Sequence, residues 1–373
     1  MKIAIIDTGR AHYTYLYSLC KIFEIDNLYL YVSEQLMQSL KNSKLKKYNN
    51  IKFKIKGKDS SLKLYYANIV EEINNSDIDL VFINTVHGNF IQNSFLTSKL
   101  KKKKILTIHN LNNYAKPKVV FSIKSNIRSI FRRKIMNNCE IINVYGENLQ
   151  SYLIEDFKYE KIITTLPFSI FEEELIKRKP NNSKLVIAIP GSIDEDRRDY
   201  KSVYNVFKKI YSEGYDIELK LLGRPIKNTA NKLIDDFEDL NSVKVQVYRG
   251  FVSEEIFEKE MWNSDLILGL TKKNIIFDST EEEYGKTKET GTTFAMIRYS
   301  LPGIISSEVR KMKELENSTL TCSSEEELYK IILKLYLNPC ILDDLKKNAL
   351  INSRKFTPSS VREKFLRQVV VMK

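Results

Sequence analysis

Short apolar runs rich in β-branched residues recur along the chain, each trailed by a stretch of helical period, and the whole pattern restarts near residue 184. Strands separated by helices of that length pair in parallel, so the alternation predicts an α/β architecture with crossover helices packed on the sheets. In the first half, strands are predicted near 2–7 (KIAIID), 27–32 (NLYLYV), 51–56 (IKFKIK), 79–84 (DLVFIN), 104–108 (KILTI) and 140–144 (EIINV), with 161–168 (KIITTLPF) closing the set. The second set falls near 184–190 (KLVIAIP), 217–222 (IELKLL), 243–248 (VKVQVY), 265–270 (DLILGL), 303–306 (GIIS) and 318–321. Between the sets, 169–183 (SIFEEELIKRKPNNS) is charged, contains a proline and ends polar, which reads as a linker. Two doubly wound, Rossmann-like domains are therefore expected, over 1–168 and 184–357, and 373 residues suit two cores better than one. The tail from 324 onward reads as helical. Ser323 and Ser324 ahead of three glutamates give a capping signal, Pro339 and Pro358 mark breaks, and a last helix over 358–373 is expected to cross back to the first domain.

A formal net charge of +13 calls for polyanionic company: nucleic acid, an anionic membrane surface or phosphate-bearing substrates. No apolar run approaches the roughly 20 residues of a bilayer-spanning helix. The opening MKIAIID reads as a strand, without the long apolar region or cleavage site of a secretory signal. Cys20, Cys139, Cys322 and Cys340 are scattered without CxxC spacing. The expectation is a cytoplasmic protein with no disulfide, metal or cofactor. The run KKKK at 101–104 reads as a solvated helix end.

In open parallel sheets, ligands bind beyond the carboxyl ends of the strands, where loops and helix N-termini converge. All three histidines stand just after predicted strands of the first half: His12 after IAIID, His87 after LVFINT and His109 after KILTI. HExxH and HxxxH spacings are absent, so the histidines read as hydrogen-bonding or acid/base groups rather than metal ligands, with a purely structural role the alternative. In the second half the first strand runs into PGSIDEDRRDYKS, where Gly191 makes the turn and Arg197, Arg198 and Lys201 open the next helix. Guanidinium forks there suit a diphosphate. The competing reading is a solvated helix start, since Asp194, Glu195, Asp196 and Asp199 are interspersed. A more specific cue is YGKTKETGTTFAMIRYSLPGIIS, in which Lys288, Thr290, Gly291 and Thr292 precede an apolar helix. Hydroxyls, a lysine and exposed N–H groups at such a start form an anion site, or else no more than a loop and a cap. GKT at 285–287 lacks the glycine of a triphosphate loop, Thr280 standing in its place, and TGRAH has one glycine where a dinucleotide fingerprint needs three.

The order PGSxxxxRRDY, LLGRP (221–225), YRGFVSEEIF (248–257), SDLILGL (264–270) and KETGTTFAMIRYSLPGIIS (288–306) resembles the donor domain of GT-B glycosyltransferases close to family 4, over about half the chain. The resemblance implies two Rossmann-like domains facing across a cleft, the C-terminal one holding a nucleotide-sugar donor and the N-terminal one a glycan or lipid-linked acceptor. It implies Phe251 and Val252 beside the base, and Arg197 or Arg198, Lys288, Thr290, Gly291 and Thr292 around the donor phosphates. TIHN at 107–110 is similar to the family's TIH motif and implies that His109 faces the sugar. The shared strand-end position of His12, His87 and His109 independently predicts that they line one cleft on the acceptor side. Many family members carry two glutamates eight positions apart where this chain has Thr287 and Ala295. The ribose carboxylate must then come from elsewhere, from Glu281, Glu282, Glu283 or Glu289. If the family's retaining chemistry holds, the leaving diphosphate assists and no protein base is needed; if the reaction inverts, Asp7 or His12 is the candidate base.

Between His109 and the last strands of the first half, residues 116–134 carry Lys116, Lys118, Lys124, Arg128, Arg132, Arg133 and Lys134, with Ile127, Ile130 and Phe131 at helical spacing. A basic helix with an exposed apolar stripe can lie in a membrane interface. The alternative turns the stripe to the core and leaves the cations solvated. Two other function classes compete with sugar transfer. One is a nucleotide-sugar epimerase or hydrolase on the same scaffold. The other, a nucleic-acid binder, is disfavoured because the cations gather at strand ends instead of interleaving with aromatics.

Overall fold

The computed structural model describes the chain except for residues 10–12, 42–44, 46–48, 57–60, 85, 117–122, 176–183, 227, 242 and 371–373. The expected positions His12 and Lys118 and the end of the 169–183 linker thus lie outside the described residues. The chain forms two units, one of Met1–Phe168, Phe277–Glu282 and Pro358–Lys373, the other of Ser169–Ile276 and Glu283–Thr357.

The first unit holds strands β1 (Lys2–Asp7), β2 (Asn27–Ser33), β3 (Ile51–Lys56), β4 (Leu80–Ile83), β5 (Lys103–Thr107), β6 (Ile141–Asn143) and β7 (Ile162–Thr164). Between them run helices α1 (Tyr13–Ile22), α2 (Glu34–Lys41), α3 (Leu62–Asn74), α4 (Phe90–Lys99), α5 (Asn112–Ala115), α6 (Ile123–Asn138) and α7 (Glu147–Glu155). The sheet order is β3-β2-β1-β4-β5-β6-β7, every pair parallel. The chain winds from β1 outward to β3, then returns to pair β4 with β1 and winds the other way. In open parallel sheets a reversal of this kind marks where a ligand crevice is expected. β1 is buried from Ile3 to Asp7 and β4 throughout, which is why both read as unbroken apolar runs. On one face Ala4, Ile6, Val81, Ile83 and Leu106 pack with Ile69, Leu96, Ile135 and Leu149 of the crossover helices. On the other, Phe23 and Phe82 meet Phe365 of the last helix, with ring centroids 5.3–5.9 Å apart.

The second unit holds β8 (Leu185–Pro190), β9 (Ile217–Leu222), β10 (Val245–Gln246), β11 (Leu266–Gly269), and, after a hairpin of β12 (Asn274–Phe277) and β13 (Thr280–Glu283), β14 (Gly303–Ser306) and β15 (Thr319–Cys322). Its helices are α8 (Tyr200–Ser212), α9 (Asn228–Leu240), α10 (Glu254–Trp262), α11 (Gly291–Tyr299), α12 (Glu325–Leu337) and α13 (Pro339–Ser353); α14 (Pro358–Val370) belongs to the first unit. The order β10-β9-β8-β11-β14-β15 is again parallel, with its reversal between β8 and β11. Leu185, Ile187, Leu219 and Leu266 pack with Val203, Phe207, Ile234 and Phe237 of α8 and α9. The α/β class and the two Rossmann-like sheets are as the sequence predicts.

Local departures have local causes. The strand expected over 161–168 stops at Thr164, because the Leu166 N–H turns to the Asn143 side chain (2.8 Å) instead of extending the ladder. The strand over 243–248 is cut to two residues. The lysine run at 101–104 is not a helix end: Lys103 opens β5, and the buried Lys104 pairs with Glu140 at 3.0 Å. Ser324 caps α12 by accepting from the Glu327 N–H, and Pro339 and Pro358 each begin a helix, where a missing N–H costs nothing.

Candidate functional site

In the first unit two of the three histidines come together at neighbouring strand ends. β4 delivers His87 and β5 delivers His109, and their rings lie 5.6 Å apart, centroid to centroid. Both line a cavity of 430 Å³ together with Gly88, Thr107, Asn110, Asn113, Arg128, Arg132 and Asp278. His109 is held on several sides. Its Nε2 lies 2.7 Å from the Tyr145 hydroxyl, and the rings of Tyr15, Tyr145 and Phe168 meet it edge-on. Burial, aided by Tyr15 and Asp7, pushes the Tyr145 phenol well above its usual range, so the group stays neutral and can donate to His109. Behind it, Tyr15 contacts Thr107 (3.2 Å) and accepts from Asn143 (2.8 Å), locking the ends of β5 and β6 together. The histidine therefore stands in one orientation before any ligand arrives.

Asp7, a candidate base, closes β1. It is fully buried, and its oxygens accept from the Asn84 side chain (2.7 Å) and the Gly9 N–H (3.0 Å). Those bonds tie the ends of β1 and β4 across the reversal point.

An acidic tongue, with Asp278 half-buried and Glu282 at its end buried, completes the wall. The β12–β13 turn carries Asp278 and Ser279 with φ of 50° and 59°, the left-handed pair of a type I′ turn. Asp278 pairs with Arg128 (3.1 Å) and with Arg132, whose guanidinium also donates to Asn113 (3.0 Å) and covers the Phe90 ring. Glu282 corrects the ribose expectation. It is wholly buried in the first unit, its carboxylate accepting from the backbone N–H groups of Asn112 (3.2 Å) and Asn113 (3.1 Å). Fully buried among these donors, the carboxylate is closed to a sugar hydroxyl.

In the second unit the features that the sequence reads as an anion site meet at the carboxyl ends of β8 and β11. Gly191 (φ 95°) turns the chain after β8, and Gly223 passes so near that a Cβ on it would fall 2.0 Å from the Gly191 carbonyl oxygen. The Arg198 guanidinium lies over Gly191, and its backbone pairs with Thr271 just past β11. Arg197 is more exposed and paired with Asp194 at 3.2 Å. The start of α11 is pressed onto the same edge. Thr290 is its N-cap, accepting from the Thr293 N–H at 3.1 Å, and the first helical residue, Gly291, is exposed. Lys288 precedes them through a tight turn closed by Gly285 N–H to Lys288 O (2.8 Å).

Two polar atoms in this corner are buried without a hydrogen-bond partner among the described residues: the Thr292 hydroxyl and Glu289 Oε1. Burial is the main cause that pushes the Glu289 carboxyl up to about 7; the Thr290 N–H and Thr293 hydroxyl pull the other way, and the Glu314 charge adds to the rise. Such orphaned groups invite a ligand. Of the other carboxylates considered for ribose, Glu281 is exposed and belongs to the first unit, and Glu283 lies 3.8 Å from Lys273. Phe251 is 82% exposed and Val252 buried, so the Gly-Phe-Val turn offers an open aromatic face.

The chain matches no protein-family model and no curated protein. Its fold is that of many solved structures. HepE from Anabaena, solved with UDP and glucose, is 13% identical with both chains covered in full and a TM-score of 0.67. Sucrose-phosphate synthase from Thermosynechococcus elongatus is 12% identical over the full length of both chains, at 0.62. A UDP-N-acetylglucosamine 2-epimerase from Listeria monocytogenes, so described provisionally, is 14% identical, covering 100% of this chain and 96% of its own, at 0.58. These likenesses establish the fold.

Proposed function

We propose that this protein transfers a sugar from a nucleotide-sugar donor to a glycan or lipid-linked acceptor, with retention at the anomeric carbon. The observation that carries the reading is the start of α11, an anion site set against the end of β11 beside the Gly191 turn and Arg198. In this reading the N–H groups of Gly291 and Thr292, with Lys288 and Arg198, hold the donor diphosphate. Glu289 receives the ribose hydroxyls in place of the absent family glutamates, and Phe251 with Val252 lies against the base. The UDP carried by HepE on the same fold supports a nucleoside diphosphate as the ligand.

The cavity of the first unit takes the acceptor side. His87 and His109 face it, and His109, fixed by Tyr145, orients sugar hydroxyls. Retention is supported by the state of Asp7, which is buried and doubly bonded to its neighbours. With that base occupied, the acceptor oxygen bonds to the anomeric carbon on the face from which the diphosphate departs. The carbon–oxygen bond to phosphate breaks, and the hydroxyl proton passes to the departing phosphate oxygen.

The test is a thermal-shift screen of nucleoside diphosphates and their sugars, followed by product analysis with the donor that binds. The expected result is a raised midpoint for one nucleotide series and sugar transfer only when an acceptor is present. Donor turnover without acceptor would instead assign an epimerase or hydrolase, and no shift with any nucleotide would overturn the reading.

A further inference from the structure

We propose that helices α4 and α6 of the first unit form a docking surface for an anionic lipid bilayer. The two helices are neighbours, joined by Asn138, which donates to Ser94 O (3.3 Å) and to the Thr97 hydroxyl (3.0 Å). Each turns an ordinary apolar face to the core: Leu96 and Phe90 on α4, Ile135 and Met136 on α6. Each also carries a second apolar stripe on the side away from that core. On α6 the stripe is Ile123, Ile127 and Ile130, exposed by 77%, 42% and 63%, at i, i+4 and i+7. On α4 it is Ile91 and Phe95, at i and i+4, exposed by 57% and 47%. Of the alternatives the sequence leaves open, the outward orientation is thus the observed one for Ile127 and Ile130, while Phe131 packs against the core. Isolated exposed apolar residues need no explanation, but two adjacent helices each presenting a stripe do.

The charge around the stripes selects the occupant. Residues 80–139 contain twelve Lys and Arg and no Asp or Glu, so this stretch carries nearly all of the net +13. Arg128 and Arg132 are answered by Asp278, but Lys124, Arg133 and Lys134 are exposed beside the isoleucines, and the Lys99 ammonium lies over the Phe95 ring at 5.9 Å. A second copy of the chain would bring two such cationic faces together. Nucleic acid would answer the charge but leave the isoleucines without partners, since they have no aromatic face on which a base can stack. An anionic bilayer answers both, with headgroups for the cations and acyl chains for the stripes. Among the described residues no helix is long and apolar enough to cross a membrane, so the attachment is peripheral.

The experiment is co-sedimentation of the full chain with mixed phosphatidylcholine–phosphatidylglycerol vesicles and with pure phosphatidylcholine vesicles. The chain should partition onto the mixed vesicles, less so as salt is raised. Lys124→Glu/Arg133→Glu/Lys134→Glu should weaken partitioning on the order of a hundredfold, at roughly fivefold per cation lost. Ile123→Ser/Ile127→Ser/Ile130→Ser should weaken it at least about tenfold. All six side chains are exposed, so both variants should keep the parental thermal midpoint, which is measured alongside. Equal partitioning of all three proteins would overturn the proposal. So would binding to single-stranded RNA without vesicle binding, or a dimer in sedimentation velocity that the isoleucine variant abolishes.

Discussion

A Cβ built on Gly269 would stand 2.3 Å from the Thr292 hydroxyl, so the last residue of β11 and the second residue of α11 meet at a distance that only glycine permits. This contact sets the start of α11 on the sheet edge. Gly269→Ala should destabilise the fold by about 1–3 kcal/mol through overpacking and lower nucleotide affinity by displacing the helix start. Gly291→Ala is the control for the fold alone, because nothing in the protein lies within 4 Å of a Cβ there. Denaturant midpoints and calorimetric titration separate the two effects.

Lys288→Ala should weaken binding of the nucleoside diphosphate by about 1.5–3 kcal/mol, the range of a hydrogen bond to a charged group. The lysine is held at the α11 approach by backbone bonds, so its side chain can be removed without unfolding the turn. Unchanged affinity in a folded Lys288→Ala protein would remove the residue from the donor site.

His109→Ala should lower the rate of transfer while leaving nucleotide affinity intact, since the proposed phosphate groups belong to the other unit. Tyr145→Phe should give a milder loss in the same direction, because it deletes the 2.7 Å bond that orients the imidazole and keeps the ring contacts. A larger defect in Tyr145→Phe than in His109→Ala would show that the tyrosine acts independently.

Glu289 links stability to pH. Its carboxyl lies at about 7 in the folded chain against 4.5 ordinarily, so between those values the unfolded chain has released the proton that the folded chain still holds. Stability should therefore fall as pH rises through this window, by ~3 kcal/mol in all, with no further loss from this group above it. Glu289→Gln should flatten that dependence in urea titrations. If Glu289 receives ribose hydroxyls as a carboxylate, a bound nucleotide should also shift its titration downward, readable by carboxyl-labelled NMR.

Much of this was legible in the chain because it is local. Apolar runs fix the strands, and a ligand edge follows from strand direction, which is how His87 and His109 could be paired, and Lys288 and Thr290 placed at a helix start, without coordinates. Long-range pairing left no such mark. Tyr145 reads as one more apolar residue after β6, and nothing near it announces that its hydroxyl meets a histidine thirty-six positions earlier. The β12–β13 hairpin was missed because its turn is Asp-Ser, whereas the recognisable two-residue signal is Asn-Gly or Asp-Gly. Glu282 was misread for the same reason: among neighbouring glutamates in sequence, only the fold distinguishes the one that reaches Asn112 and Asn113.

The excursion of Phe277–Glu282 also bears on how such a chain can be cut or recombined. A fragment ending at Phe168 would keep Arg128, Arg132 and the amides of Asn112 and Asn113 but lose the carboxylates that answer them, and would lack Phe365 as well. A fragment starting at Ser169 would carry Asp278 and Glu282 with no counterpart. The halves are thus not interchangeable cassettes. A chimera that takes its second half from a relative inherits that relative's six-residue tongue, which must then match the residues standing at Asn112, Asn113, Arg128 and Arg132 of the recipient.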